Sequence, residues 1–128
     1  MDSTNGYLYI AGSDASTNWR IEKRLASTGA LCTGGACSAG DFDTDGVVDG
    51  IAGPGTVYQL AFDSTNGYIY ISGYDSSSNW RIEKRDLSNG NLLWIQTSVA
   101  GKAVAVTTVS GSVLITGYST ASGIPRWH

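Results

Sequence analysis

The sequence predicts an all-β chain made of repeated four-stranded antiparallel units. Three observations carry this expectation. Residues 2–24, DSTNGYLYIAGSDASTNWRIEKR, return as residues 63–85, DSTNGYIYISGYDSSSNWRIEKR, with 18 of 23 positions identical at an offset of 61. The composition holds 17 glycines with many Ser, Thr and Asn residues, but only 2 prolines and 1 methionine. That mixture suits short strands joined by tight turns. No long stretch shows the 3.6-residue periodicity of a helix.

The second copy displays the whole unit. Its first strand is TVYQLAFD (56–63), followed by the turn STNG. Asn-Gly between apolar runs is a strong hairpin signal, because both residues tolerate positive φ. The second strand, YIYISGYD (68–75), has a Tyr face and an Ile face. Both are apolar, so it should be covered on both sides. In the third, NWRIEKRD (79–86), Trp80, Ile82 and Lys84 alternate with Arg81, Glu83 and Arg85. The fourth, NLLWIQTSV (91–99), is entered through Ser88-Asn89-Gly90. Four antiparallel strands with hairpin turns make one blade of a β-propeller. A central strand apolar on both faces fits blades stacked face to face. A single β-sandwich is the alternative, but its outer faces should be polar on most strands.

A third, worn copy follows: GSVLITGYSTAS from Gly111 aligns with GYIYISGYDSSS from Gly67 at an offset of 44, then ends in IPRWH. The unit is therefore about 44 residues long, and the wider spacing of the first two copies holds an insertion. The chain reads as a single domain over residues 1–128, about two and a half blades, with repeats at about 2–31, 56–99 and 102–128 and an insertion at about 32–55. A chain of this length buries roughly two-thirds of the surface its unfolded form exposes.

The segment GYIYISGYDSSSNWRIEKRDLSNGNLLW resembles the propeller-type repeats of large secreted or surface proteins of bacteria and archaea. The resemblance covers the two strong copies, roughly 75 residues. It implies a propeller scaffold and an extracellular or cell-surface setting, and it supplies no active site. A propeller needs about four or more blades. The chain is then either a fragment of a longer array or one of several copies assembled in a ring. Open sheet edges favour association with another chain, so the expected partners are other copies or neighbouring blades, with a glycan or protein ligand as further options.

Only one segment is unrepeated, and it holds the sharpest candidate site. In GDFDTDGVVDG (40–50), Asp41, Asp43 and Asp45 fall at positions 1, 3 and 5 of a calcium loop. Gly46 supplies the turn, Val47 a carbonyl and Asp49 position 9. Convergent carboxylate oxygens are what a hard cation such as Ca2+ needs. Position 12 is Ala52 rather than the bidentate Glu, so weak affinity is expected, and a solvated acidic loop with Asp-Gly turns is the alternative. Cys32 and Cys37 flank a Gly-rich loop; a local disulfide and two free thiols are both open.

Other candidates are repeated, which points to architecture. SDASTNW (13–19) and YDSSSNW (74–80) resemble the Asp-box turns of sialidase-like propellers, where Asx-type hydrogen bonding is the expected role. Arg20, Glu22 and Arg24, with Arg81, Glu83 and Arg85, could gather an anion. Charge pairing between neighbouring strands or blades is the simpler expectation. Tyr7, Tyr9, Tyr68 and Tyr70 with Trp19, Trp80 and Trp94 could stack on sugars, but aromatics at period two are more often core.

The net charge of −3 argues against a nucleic-acid partner. Apolar runs are too short for a membrane-spanning helix, and no signal peptide precedes the first unit, so any export signal is expected outside this chain. No Ser-His-Asp set or phosphate loop is evident, and the only histidine is His128. The sequence therefore predicts a non-catalytic scaffold or interaction module. The alternatives are a carbohydrate-binding propeller, or a fragment of a glycoside hydrolase or quinone-dependent dehydrogenase.

Overall fold

Alternating side chains set the strands, and the strands set three sheets. The computed structural model describes residues 6–33, 47–121 and 126–128. Within them every helix or strand is a strand. Strands β1 (Tyr7–Ser13), β2 (Asn18–Leu25) and β3 (Val47–Pro54) form a first sheet in the order β1-β2-β3. Strands β4 (Thr56–Asp63), β5 (Tyr68–Tyr74), β6 (Trp80–Asp86) and β7 (Leu92–Gln96) form a second, in sequence order. Strands β8 (Gly101–Val109), β9 (Ser112–Ser119) and β10 (Arg126–Trp127) form the third. All pairings are antiparallel, so the chain is all-β with three antiparallel sheets.

The turns follow local chemistry more than the Asn-Gly signal suggested. Asp63 and Tyr68 close the β4–β5 hairpin around Ser64 to Gly67, and only Gly67 has positive φ, at 72°. Asn66 is held instead by the Asp63 carboxylate, which accepts from its backbone N–H at 3.1 Å and from its side-chain amide at 2.8 Å. The two-residue turn with both φ values positive lies in the worn copy, at Ser110-Gly111 (47° and 79°) between Val109 and Ser112.

Period two gives each strand a face toward the preceding sheet and a face toward the following one. Ile69 and Ile71 of β5 point back into a core with Tyr9, Trp19 and Ile21 of the first sheet. Trp80 and Ile82 of β6 point forward into a second core with Ala103 of β8, edged by Val99 and Ile115. Each such side chain, fully buried, contributes about 1.5–3 kcal/mol. Strand β5 is buried on both faces from Ile69 to Gly73, as its doubly apolar sequence requires. Ser72 sits in that strand with its hydroxyl buried and without a hydrogen-bond partner, and the first copy carries Ala11 at the same repeat position.

One boundary differs from the sequence reading. Residues 47–54, taken there as the end of the insertion, are β3 and pair with β2 as β7 pairs with β6. The segment VVDGIAGP does not alternate apolar and polar residues, and its ladder with β2 carries two register shifts. Both features hide a strand from a periodicity argument.

Gly73 sits where β4 of its own sheet and Trp19 of the first sheet both come close. A Cβ there would overlap the Thr56 carbonyl oxygen and lie 2.8 Å from Trp19 Cζ2. Gly73→Ala should therefore lower stability by about 3 kcal/mol, read as the urea midpoint. Gly12→Ala, at the same repeat position but with nothing within 4 Å of its Cβ, should leave that midpoint unchanged. Equal losses at both glycines would contradict this packing.

Candidate functional site

The chemistry-bearing side chains converge on the junctions between sheets. The Trp19 indole N–H of the first sheet donates to the Tyr74 carbonyl of the second at 3.2 Å. Trp80, its counterpart in the second sheet, donates to the Tyr118 carbonyl of the third at 2.8 Å. Beneath each indole lies a glycine of the receiving sheet: a Cβ on Gly73 or Gly117 would stand 2.8 or 2.9 Å from the Cζ2 of Trp19 or Trp80. The Arg81 guanidinium carbon lies 5.0 Å from the centre of the Trp19 ring, adding a cation–π contact. Each junction thus combines an apolar plate, a flat glycine floor and one directional hydrogen bond.

The charged ladders form clasps along one strand, where pairing between neighbouring strands or sheets is the simpler expectation. Residues i and i+2 share a face, so Glu83 lies between Arg81 and Arg85, whose Nε groups donate to its two oxygens, each at 2.7 Å. Across the ladder on that face stand Ile69, Ile71 and Gly73, which offer no charge. Glu22 is held in the same way by Arg20 and Arg24 at 2.8 and 2.7 Å. Arg24 and Arg85 each add a 2.7 Å bond to a turn carbonyl, Gly29 or Gly90. The Glu83 side chain is fully buried while that of Glu22 is 15% exposed. Burial raises the Glu22 pKa, but the hydrogen bonds and charges of Arg24 and Arg20 outweigh it and hold the carboxyl below its ordinary 4.5.

The two Asp-box-like turns are closed by their own aspartates. Each also accepts one bond from the next segment, Gly55 N–H to the Thr17 carbonyl and Gly101 N–H to the Ser78 carbonyl, both at 2.8 Å. Asp14 accepts from the backbone N–H groups of Ser16 and Asn18, both at 2.8 Å. Asp75 accepts from Ser77 and Asn79, both at 2.9 Å. The turns close at Thr17 and Ser78, with φ of 64° and 58°. The Asn18 backbone bond, helped by the Asn18 side chain, Ser16 and Arg20, outweighs desolvation and holds Asp14 below the usual carboxylate range.

The tyrosines face lysines. Lys23 Nζ lies 4.4 Å from the centre of the Tyr7 ring and donates to the Ser88 carbonyl of the second sheet at 2.9 Å. The Tyr9 hydroxyl donates to the Leu87 carbonyl at 2.8 Å. Lys84 stands 3.5 Å from the centre of the Tyr68 ring. Lys102 stands 4.3 Å from that of Tyr74. Burial lowers the Lys102 pKa, but Tyr58, Tyr74 and Tyr118 outweigh it and raise it. Tyr7, Lys23, Asn66, Asp86 and Ser88 line an open polar groove of about 500 Å³ between the first two sheets. The Ser88 hydroxyl, with the Ser88 and Asn89 amides and the Lys23 charge, holds Asp86 below its ordinary pKa against partial burial. Of the aromatics considered for sugar stacking, Tyr9, Tyr70, Trp19 and Trp80 are buried, while Trp94 is exposed.

Asp41, Asp43, Asp45 and Cys37 lie outside the described residues. Val47 and Asp49 fall in β3. Cys32 is buried and disulfide-bonded. Among the described residues, no three His, Cys, Asp or Glu side chains are grouped to hold a metal ion. The glycine floors escaped the sequence reading, although their signal is plain afterwards: Gly12-Ser13, Gly73-Tyr74 and Gly117-Tyr118 each precede the same turn. Comparison with protein-family models, curated proteins and solved structures found no match.

Removing the charge of Glu83 leaves two buried guanidinium groups uncompensated. Glu83→Gln should cost about 3–5 kcal/mol, and Glu22→Gln, part-exposed and screened, about 1 kcal/mol or less; chemical denaturation separates the two. A second expectation concerns acid. Asp14, Glu22 and Asp86 have depressed folded pKa values, so their stabilisation is complete above the ordinary values of 3.8 to 4.5. It is lost as pH falls through the lower folded values. The melting temperature should drop as pH falls below about 4, and Glu22→Gln should flatten that slope. An unaltered slope would show that Glu22 titrates alike in both states.

Proposed function

We propose that the chain is a non-catalytic scaffold or interaction module of β-propeller type, working outside the cell or on its surface. The single observation behind this reading is that the same Trp-on-Gly junction joins the first sheet to the second and the second to the third. Among the described residues, arginines clasp glutamates, aspartates close turns and lysines cover tyrosines. A buried, disulfide-bonded Cys32 fits an oxidising compartment. Calcium binding by Asp41, Asp43, Asp45, the Val47 carbonyl and Asp49 belongs to the same proposal, as a tie for the unrepeated loop.

Among the described residues, the pair an enzymatic reading would test first is Ser119 and His128, whose Oγ and Nε2 lie 3.2 Å apart. Assays with activated esters, chromogenic glycosides and a quinone acceptor with simple alcohols should show no turnover. Turnover abolished by His128→Ala would overturn the scaffold reading. Calcium titration should raise the melting temperature, and Asp43→Asn should remove that rise. A melting temperature indifferent to calcium would leave the loop a solvated acidic turn.

A further inference from the structure

The junction has a donor side and a receiving side, and the chain exposes one of each at its opposite ends. On the receiving side, the second sheet offers Ile71, Gly73 and the Arg81–Glu83–Arg85 clasp, buried beneath the first sheet. The first sheet carries the same set as Ile10, Gly12 and Arg20–Glu22–Arg24, and here it is uncovered. Ile10 is 47% exposed where Ile71 is 0%. The Arg24 side chain is 30% exposed where that of Arg85 is 3%. A hollow of about 160 Å³ remains, lined by Ile10, Gly12, Ser13, Arg20 and Glu22. Its floor is the glycine over which nothing lies within 4 Å.

The donor side is at the other end. Cross-strand pairing puts Trp19 opposite Ser13 and Trp80 opposite Tyr74. In the third sheet the residue opposite Tyr118 is Trp127. Trp127 therefore holds the position of the donor tryptophan, although a fixed offset of 44 would place Ile124 there. It is 73% exposed. Val109 and Leu114 stand on the same face, more than half exposed.

We infer that a second copy of this chain docks head to tail, Trp127 of one copy entering the Gly12 hollow of the other. There the indole would find three of the features Trp19 finds on the second sheet: a glycine, the Ser13 carbonyl as acceptor, and the Arg20 guanidinium against its ring. The strand that borders Trp19 there, β4, has no counterpart among the described residues of the first sheet, whose edge strand is β1. The occupant is argued from continuity, since this chain already makes that contact twice within itself. The contact is heterologous, so successive copies close into a ring or extend, according to the rotation per copy. The inference rests on the scaffold reading and names its partner.

Sedimentation of the full chain over a concentration series tests it. The wild type should self-associate. Trp127→Ala removes the plate and Gly12→Val fills the hollow, and each should weaken association by about 30-fold or more, as expected for a buried tryptophan at an interface. Nothing lies within 4 Å of a Gly12 Cβ, and Trp127 makes an edge contact with the Tyr118 ring, so Gly12→Val should melt as the wild type does and Trp127→Ala slightly below it. Mixed together, they should form a 1:1 dimer that grows no further, because only the Trp127 of the Gly12→Val chain meets an open hollow. A wild type that stays monomeric at its solubility limit would overturn the inference, the two faces then taking some other occupant. So would a Trp127→Ala chain that associates as the wild type does, or a mixture that stays monomeric. A monomer without enzymatic turnover sinks only the docking; turnover in the assays above sinks only the scaffold reading.

Discussion

The structure depends on the edge of an indole set against a glycine. A tryptophan is large enough to cover the edge of a neighbouring sheet, and its N–H gives the contact a direction. The surface beneath must be bare: a Cβ on Gly73 or Gly117 would crowd the indole, and it would also overlap the Thr56 or Lys102 carbonyl of the adjacent strand in its own sheet. Once the plate is seated, the sheets stand close enough for Ile69 and Ile71 to bury fully. Closeness then seals Glu83 and its two arginines from water. A buried ion cluster is weak support on its own; here it is tolerable because both carboxylate oxygens are occupied by guanidinium donors.

Repetition explains the division of labour along the chain. The two strong copies place their polar residues alike: an aspartate on a turn, a glutamate in a clasp, a lysine over a tyrosine. The first and second sheets differ in what covers them and in the strand β4, which has no counterpart among the described residues of the first sheet. Glu22 and Glu83 share one geometry, yet the first keeps partial contact with water and the second has none. Context rather than local sequence therefore sets how much each copy contributes to stability.

Much of this was legible in the residues. The duplicated segment located β5 and β6, and the two apolar faces of YIYISGYD required cover on both sides. Three features were not legible, each for a physical reason. Strand β3 lacks alternation and pairs with irregular register, so periodicity could not reveal it. The direction of the Arg–Glu–Arg pairing depends on what stands across the ladder, here isoleucine and glycine, which one strand's sequence does not state. Trp127 is displaced from the repeat spacing, and only pairing with Tyr118 reveals its position. The acidic segment remains a proposal, since Asp41, Asp43 and Asp45 lie outside the described residues.

The most direct test of the junction is hydrogen exchange at the indole N–H groups, followed by NMR. Trp19 and Trp80 donate across sheets and are buried, whereas Trp94 lies on the exposed outer strand β7. The N–H signals of Trp19 and Trp80 should exchange slowly, at rates approaching those of the core amides of β5, while that of Trp94 should exchange at the rate of a free indole. Exchange at Trp19 and Trp80 as fast as at Trp94 would contradict a fold held together by these contacts.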